Sequence, residues 1–168
     1  MELWDAYNLD FTLIPGVTLH RGSDMPDEDV PEGMYHLVSD IVLKHEDGTY
    51  LITRRSLDKP NHPGMWELTA GGAALNGEDA LTCAKRELWE ETGIKGENFV
   101  ELGSAANLQK HTIFKIFSST TSAPKDSVVL LEGETIDYKW VTAEEIRNMT
   151  DDELLAKRIR PLVKELQR

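Results

Sequence analysis

One stretch constrains this chain more than any other: Gly72 to Ile94, GAALNGEDALTCAKRELWEETGI. From about Glu78 to Thr92 it holds no proline or glycine, it is rich in leucine, alanine, arginine and lysine, and Gly93 follows as a stop. That composition predicts a helix over residues 78–92. At about 100° per residue, Glu87, Glu90 and Glu91 fall within one arc of roughly 100°, so three carboxylates project from the same side. Like charges three or four residues apart cost about 0.2 to 0.5 kcal/mol per pair on a helix surface. Arg86, four residues before Glu90, can bridge to it, yet one guanidinium leaves a surplus of negative charge. A hard divalent cation that prefers oxygen ligands, Mg²⁺ or Mn²⁺, balances the remainder. Ala80, Cys83 and Ala84 lie on the same arc one or two turns earlier, and their small side chains let another backbone approach. This fits a Gly71-Gly72 loop folded over the helix.

The spacing is Gly72, five residues, Glu78, seven residues, then Arg86-Glu87-Leu88-Trp89-Glu90-Glu91-Thr92-Gly93-Ile94. It resembles the full signature of the Nudix hydrolases. At ordinary residue frequencies, identities fixed at those intervals match by chance on the order of 10⁻⁹ per starting point, so a merely solvated acidic helix face does not account for them. The resemblance implies an α+β fold, an α/β/α sandwich with a mixed central β-sheet flanked by helices. It also implies hydrolysis of a diphosphate linked to another group, X. Glu87, Glu90 and Glu91 match the family's metal-binding glutamates, and the carbonyl of Gly72 or Gly71 completes the set. Arg86 reads as the orienting partner of a glutamate. Glu78, near the helix start, caps the helix or ties the loop. Glu87 is the first choice for the general base. Glu132 and Glu134, in a turn where relatives place a further acidic ligand or base, are the alternatives.

A second similarity covers Tyr35-His36-Leu37, Leu51 to Ser56, Lys59, Pro63 to Trp66 and Gly71-Gly72, which look like the isopentenyl-diphosphate isomerases and the hydrolases nearest to them. Those isomerases use a cysteine in the strand before the glycine pair and a histidine after its first glycine. WELTAGG has neither. The reading is therefore a metal-dependent diphosphatase acting on a small nucleotide-type substrate. A non-catalytic nucleotide sensor on the same scaffold and a prenyl-diphosphate isomerase are the alternatives.

Length and charge bound the partners. The 168 residues suit one domain, with residues 1–33 as an accessory hairpin and linker and 34–168 as the core. The net charge of -12, from 30 acidic against 18 basic residues, repels nucleic-acid backbones and argues against a nucleic-acid partner. A small phosphorylated substrate stays compatible, because bound metal reverses the local sign. Cys83 has no second cysteine to pair with and reads as a buried structural thiol. Glu2 and Asp5 interrupt any apolar leader and no run approaches membrane-spanning length, so the expectation is a cytoplasmic protein without a membrane partner. Association into a homodimer through the N-terminal hairpin follows from family analogy alone.

Along the chain, Leu3-Trp4 and Phe11 to Leu19 suggest a hairpin turning at Pro15-Gly16, followed by an acidic linker at Ser23 to Glu32. Met34 to Lys44 and Tyr50 to Thr53 read as strands around a tight turn at Asp47-Gly48. Arg54 and Arg55 point to opposite sides of their strand, so one of them is the candidate substrate contact. His36 and His62 are weaker candidate ligands. Strands are expected at residues 66–70, 99–108, 112–118, 128–131 and 136–141. Thr142 to Glu145 and Thr150 to Glu153 have capping-box spacing and predict two helices, the second running to about Arg160. Pocket residues are sought in the loops 56–65, 106–111 and 119–127.

Overall fold

The computed structural model describes residues 2–21 and 30–168; most of the expected Ser23 to Glu32 linker lies outside them. The chain forms β1 (Glu2–Tyr7), β2 (Leu13–Arg21), β3 (His36–His45), β4 (Tyr50–Arg55), β5 (Trp66–Glu67), β6 (Thr69–Ala73) and α1 (Ala80–Thr92). Then follow β7 (Glu97–Asn107), β8 (Thr112–Thr121), β9 (Thr135–Val141), α2 (Ala143–Asn148) and β10 (Leu154–Leu155), with short 3₁₀ turns at Lys125–Ser127, Arg160–Leu162 and Lys164–Leu166.

β3 is the central strand. Its sequence, HLVSDIVLKH, is nearly continuous in apolar character and buried on both faces, as expected for a strand covered on each side. β8 lies parallel to it from His36↔Thr112 to His45↔Thr121, and β6 runs antiparallel on its other flank from Val38↔Ala73 to Val42↔Thr69. A parallel pair needs a crossover connection, and α1 lies within it. Side chains alternate across β3: Ile41 and Leu43 pack with Ala84 and Leu88 of α1, and the Ser39 hydroxyl donates to the Ala80 carbonyl at 2.7 Å. Val42 packs on the other face with Ile146 of α2 and with Leu154, Ile159 and Leu166. The result is a mixed sheet with α1 on one face and α2 plus the C-terminal segment on the other.

β4 leaves β3 almost at once, after Lys44↔Tyr50, and joins β9 and β5 instead. That divergence opens the sheet beside β6, where α1 presents its acidic side. The N-terminal hairpin is a separate two-stranded sheet held to the rest by a Tyr7↔Tyr35 bridge. Trp4 stacks on His36, with ring centroids 4.2 Å apart.

Several sequence expectations are corrected. Pro15-Gly16 lies within β2, and the hairpin turns at residues 8–12, where the Asp10 carboxylate accepts from the amide and hydroxyl of Thr12. A terminal Asx turn closes the ribbon, and a proline is tolerated in a strand that has only one neighbour. Residues 128–131 form no strand, since Val128 folds back onto the α1 cluster and the Val129 amide donates to the Thr92 carbonyl. Thr142 makes both bonds of its capping box and opens α2. Thr150 to Glu153 does not open a helix: Glu153 accepts from the Thr150 amide at 2.7 Å, but the chain then adds Leu154–Leu155 to the sheet edge beside Trp66–Glu67. Burial of Leu154 at that edge outweighs the local helix signal.

Candidate active site

Helix α1 is held at both ends. Asp79, one residue after the expected start, accepts from the Thr82 amide at 2.7 Å as N-cap, and Gly93 closes the helix at φ 71°. Cys83, Ala84 and Leu88 are fully buried against the sheet, and this fixes the rotation that brings Glu87 and Glu91 to β6. The glycine pair is part of β6, not a loop. Gly72 and Gly71 stand opposite Ser39 and Asp40 of β3, and with no side chains of their own they make a flat backbone wall on which α1 lies. A Cβ on Gly72 would stand 2.5 Å from the Glu87 carboxyl carbon, so only glycine leaves that carboxylate its place.

Arg86 organises this corner. Its Nε donates to Glu78 at 2.6 Å and its Nη2 to the other Glu78 oxygen at 2.9 Å; Nη1 reaches Glu87 at 2.8 Å and Glu90 at 3.1 Å. A further bond to the Ala73 carbonyl at 3.1 Å ties the fan to β6. Glu78 also accepts from the Leu75 amide at 2.9 Å, so it ties the loop while Asp79 caps the helix.

The remaining acids are poorly compensated. Burial pushes the Glu87 carboxyl above its usual range against the pull of Arg86. Glu91 is raised much further: burial dominates, the charges of Glu67 and Glu87 add to it, and a 3.2 Å bond from the Gly71 amide offsets only part. Glu134 contributes a smaller push of the same sign to Glu91 and itself pairs with Lys59. Glu67, on β5, is raised by burial despite its contact with Arg55. Glu132 is exposed, and among the described residues nothing forms a hydrogen bond or ion pair with its side chain.

A cavity of about 570 Å³ opens on the sheet face away from α1 and reaches the glycine pair. Asp40, Arg55, Glu67 and Phe114 line it together with a wall from the 151–159 segment, which β10 ties to the strand that carries Glu67. Arg55 is the inward arginine, with Nη1 3.3 Å from both Glu67 oxygens, whereas Arg54 turns to the Gly64 carbonyl at 2.8 Å. Of the loops expected to supply pocket residues, only 56–65 does so, through His62; residues 106–111 and 119–127 lie at the ends of β8, away from the opening. His36 stacks under the hairpin and bonds with the Thr112 hydroxyl at 2.8 Å, away from the cavity. Cys83 is buried with its thiol 3.4 Å from the Gly72 carbonyl, and burial pushes its pKa up to about 12, as expected for an inert structural thiol.

Glu67, Asp40 and the 151–159 wall were not singled out in the sequence. For the first two a signal existed: each is an acid in the middle of an apolar strand, WEL and SDIV. A buried carboxylate costs stability unless function or a partner retains it.

The hard-oxygen set of Glu87, Glu90 and Glu91 beside the bare Cα of Gly72 suits a divalent cation better than any softer metal. Among the described residues no three such side chains close on a single ion as they stand, because Arg86 draws Glu87 and Glu90 while Glu91 turns to Gly71.

A mixed sheet between helices with this acidic corner is the Nudix fold. DR0079 from Deinococcus radiodurans superposes with a TM-score of 0.72 at 19% identity, covering 97% of this chain and 100% of that one. The NUDIX domain of NrtR from Shewanella oneidensis, solved with ADP ribose, gives 0.57 at 18% identity over 69% of this chain and 78% of that chain. The NUDIX domain family model matches residues 34–166. An uncharacterised Nudix hydrolase of Listeria monocytogenes is 33% identical over 150 residues, 87% of this chain and 83% of that protein. YfcD, an uncharacterised Nudix hydrolase of Escherichia coli, is 34% identical over 119 residues, 70% of this chain and 64% of that protein. The chain belongs to the Nudix hydrolase family, and it is an enzyme of the pyrophosphohydrolase type. Among the described residues no helix is long and apolar enough to cross a membrane.

Proposed function

We propose that the protein is a Mg²⁺- or Mn²⁺-dependent hydrolase that cleaves the diphosphate bond of a small nucleoside diphosphate linked to a group X. The observation that carries this is the juxtaposition of buried Glu87 and Glu91 with Glu67 at the glycine pair, beside a cavity large enough for a nucleotide-sized ligand. Glu87, Glu90, Glu91 and a carbonyl of the Gly71-Gly72 pair would hold the cation. When bound, it supplies charge screening for the diphosphate and a water that is nucleophilic near neutral pH.

The chain's own groups do the rest. Glu87, desolvated against Gly72 and steered by Arg86, accepts the proton of the attacking water. Arg86 keeps Glu87 and Glu90 on one side of the helix. Arg55 faces the cavity and contacts the substrate phosphates, and Arg54 braces the adjacent loop at Gly64. Glu134 is the alternative base, carried on a turn whose backbone carbonyl accepts from Ser56 at 2.9 Å. If Glu134 serves in that role, Glu134→Gln lowers kcat at least tenfold with Mg²⁺ while Glu132→Gln leaves it unchanged. Full turnover in both variants ends the role of this turn.

The reading is tested by a product-resolved screen of nucleoside di- and triphosphates, nucleotide sugars, ADP-ribose and dinucleotides with Mg²⁺. Release of phosphate or a nucleoside monophosphate, lost in Glu90→Gln, supports it. Thermal stabilisation by a nucleotide with no product formed from any compound supports the sensor reading instead. The segment Trp66 to Gly72 offers no cysteine or histidine for isomerase chemistry. In the same reading residues 34–168 are the catalytic unit, residues 1–33 are accessory to it, and the protein works in the cytoplasm. Two copies would associate through the hairpin, which sedimentation of the hairpin-deleted chain against the full chain would check.

A further inference from the structure

Among the cations around the cavity, Arg158 is held differently from the others. It lies on the segment that follows β10, whose Leu155 pairs with Glu67, and both Arg158 and Glu67 line the cavity. Its guanidinium sits over the Phe114 ring, 3.9 Å from the centroid, and Nη2 donates to Asp40 at 3.2 Å. The Asp40 side chain is only 10% exposed, whereas that of Arg158 is 48% exposed. The pair is therefore anchored at its acidic end and open at its basic end.

A guanidinium carries five N–H donors in a rigid plane, and stacking on a ring leaves the edge of that plane available. Among the described residues Asp40 is its one hydrogen-bond acceptor. Such an edge matches two oxygens of a phosphate. Lys157 also lines the cavity, but among the described residues no ring or carboxylate orients its exposed ammonium, and the remaining cations near the site are already bonded. Arg86 divides its donors among Glu78, Glu87, Glu90 and Ala73; Arg55 bonds Asn61 and both Glu67 oxygens; Lys59 pairs with Glu134.

Position adds to this. Asp40 is the β3 partner of Gly71, whose amide donates to Glu91. The Arg158 fork and the Glu91 carboxylate thus flank the same peptide of β6, the first from the cavity and the second from α1. A diphosphate lying at the glycine pair meets acidic, cation-binding groups on one side and a preset anion-binding edge on the other.

We propose that Arg158 is a substrate-binding residue, a fork preset by Phe114 and Asp40 that grips diphosphate oxygens from the sheet face opposite α1. The proposal rests on the diphosphate-hydrolase reading above. The competing role, a latch that only ties residues 151–159 to the sheet, predicts a different pattern in the experiment.

Removing Arg158 alone would strand the buried Asp40 charge, so the comparison is Asp40→Asn against Asp40→Asn with Arg158→Gln. Binding of imidodiphosphate with Mg²⁺ is measured by calorimetry, alongside Tm. The expected result is binding by the wild type and by Asp40→Asn, and a Kd at least tenfold weaker on adding Arg158→Gln, with the Tm of the two variants matched. Arg158→Lys in the wild-type background is expected to fall between, because an ammonium keeps the charge and loses the fork. Equal Kd with and without Arg158, or no imidodiphosphate binding by the wild type, overturns the proposal. Turnover in the substrate screen is scored separately. An active enzyme with Arg158-independent binding sinks the fork and leaves the hydrolase standing, and Arg158-dependent binding without turnover does the reverse.

Discussion

Glu91→Gln is expected to lower Mg²⁺-dependent turnover by on the order of 10³-fold, about 4 kcal/mol of transition-state stabilisation, while raising the Tm of the metal-free protein. The two effects share one cause. Burial, with the charges of Glu67 and Glu87, holds the Glu91 carboxyl well above its usual value of 4.5. In the unfolded chain that group ionises at its ordinary pKa. Stability contributed by its raised folded pKa is fully present below about 4.5 and is lost as pH rises through the folded value. Glutamine has no proton to lose, so at pH 7 to 8 in EDTA the variant melts higher than the wild type, and the difference closes as pH falls toward 4. Mg²⁺ should then raise the wild-type Tm and leave the variant nearly unmoved. Melting curves with and without Mg²⁺ at several pH values check both signs. A variant that melts lower than wild type in EDTA at pH 8 would show that Glu91 is adequately paired within the protein.

Gly72→Ala and Gly71→Ala, one residue apart, are expected to fail in opposite ways. A Cβ at Gly72 meets the Glu87 carboxyl group, the far end of a flexible side chain, at 2.5 Å. The fold can yield there by turning that carboxylate aside, so the stability loss should stay below about 1 kcal/mol. Catalysis cannot yield in the same way: displacing a base or ligand by about 1 Å costs on the order of 10²-fold in kcat. A Cβ at Gly71 would instead lie 2.3 Å from the Ser39 backbone oxygen within the central β3–β6 pairing. Only backbone movement relieves that clash, and about 1 to 3 kcal/mol of stability should be lost. Denaturant unfolding and kcat measured on both variants test the separation. Equal loss of stability at both positions would mean that Glu87 is fixed more rigidly than its contacts indicate.

Much of the site could be read locally. Helix α1 carries a complete signature because Arg86, Glu87, Glu90 and Glu91 lie within two successive helical turns, and their mutual geometry follows from 3.6 residues per turn. The Cys83 environment was also legible, since a small thiol beside Ala84 on the packed face had to be buried. Legibility failed where a local signal competed with a tertiary one. Thr150 to Glu153 carries capping-box spacing but makes a turn, because Leu154 is worth more at the sheet edge than in a helix. Pro15-Gly16 signals a turn, but the Asp10 to Thr12 turn closes the hairpin first.

The choice between Arg54 and Arg55 belongs to the same class. Alternation along a strand shows that they diverge, and only the position of β5 and Glu67 shows that Arg55 faces the cavity. Asp40, Glu67 and Arg158 come from three separate stretches of chain and meet through pairing across β3, β5, β6 and β10.

The amino-acid sequence by itself determined the family, the acidic helix and the chemistry of its ligands, because these rest on short-range spacing within one element. The tertiary structure alone decided which wall the cavity has and which cation faces it. Those contacts join residues as far apart as Asp40 and Arg158, and strand order, which places them together, is set by burial over the whole sheet and not by any local run.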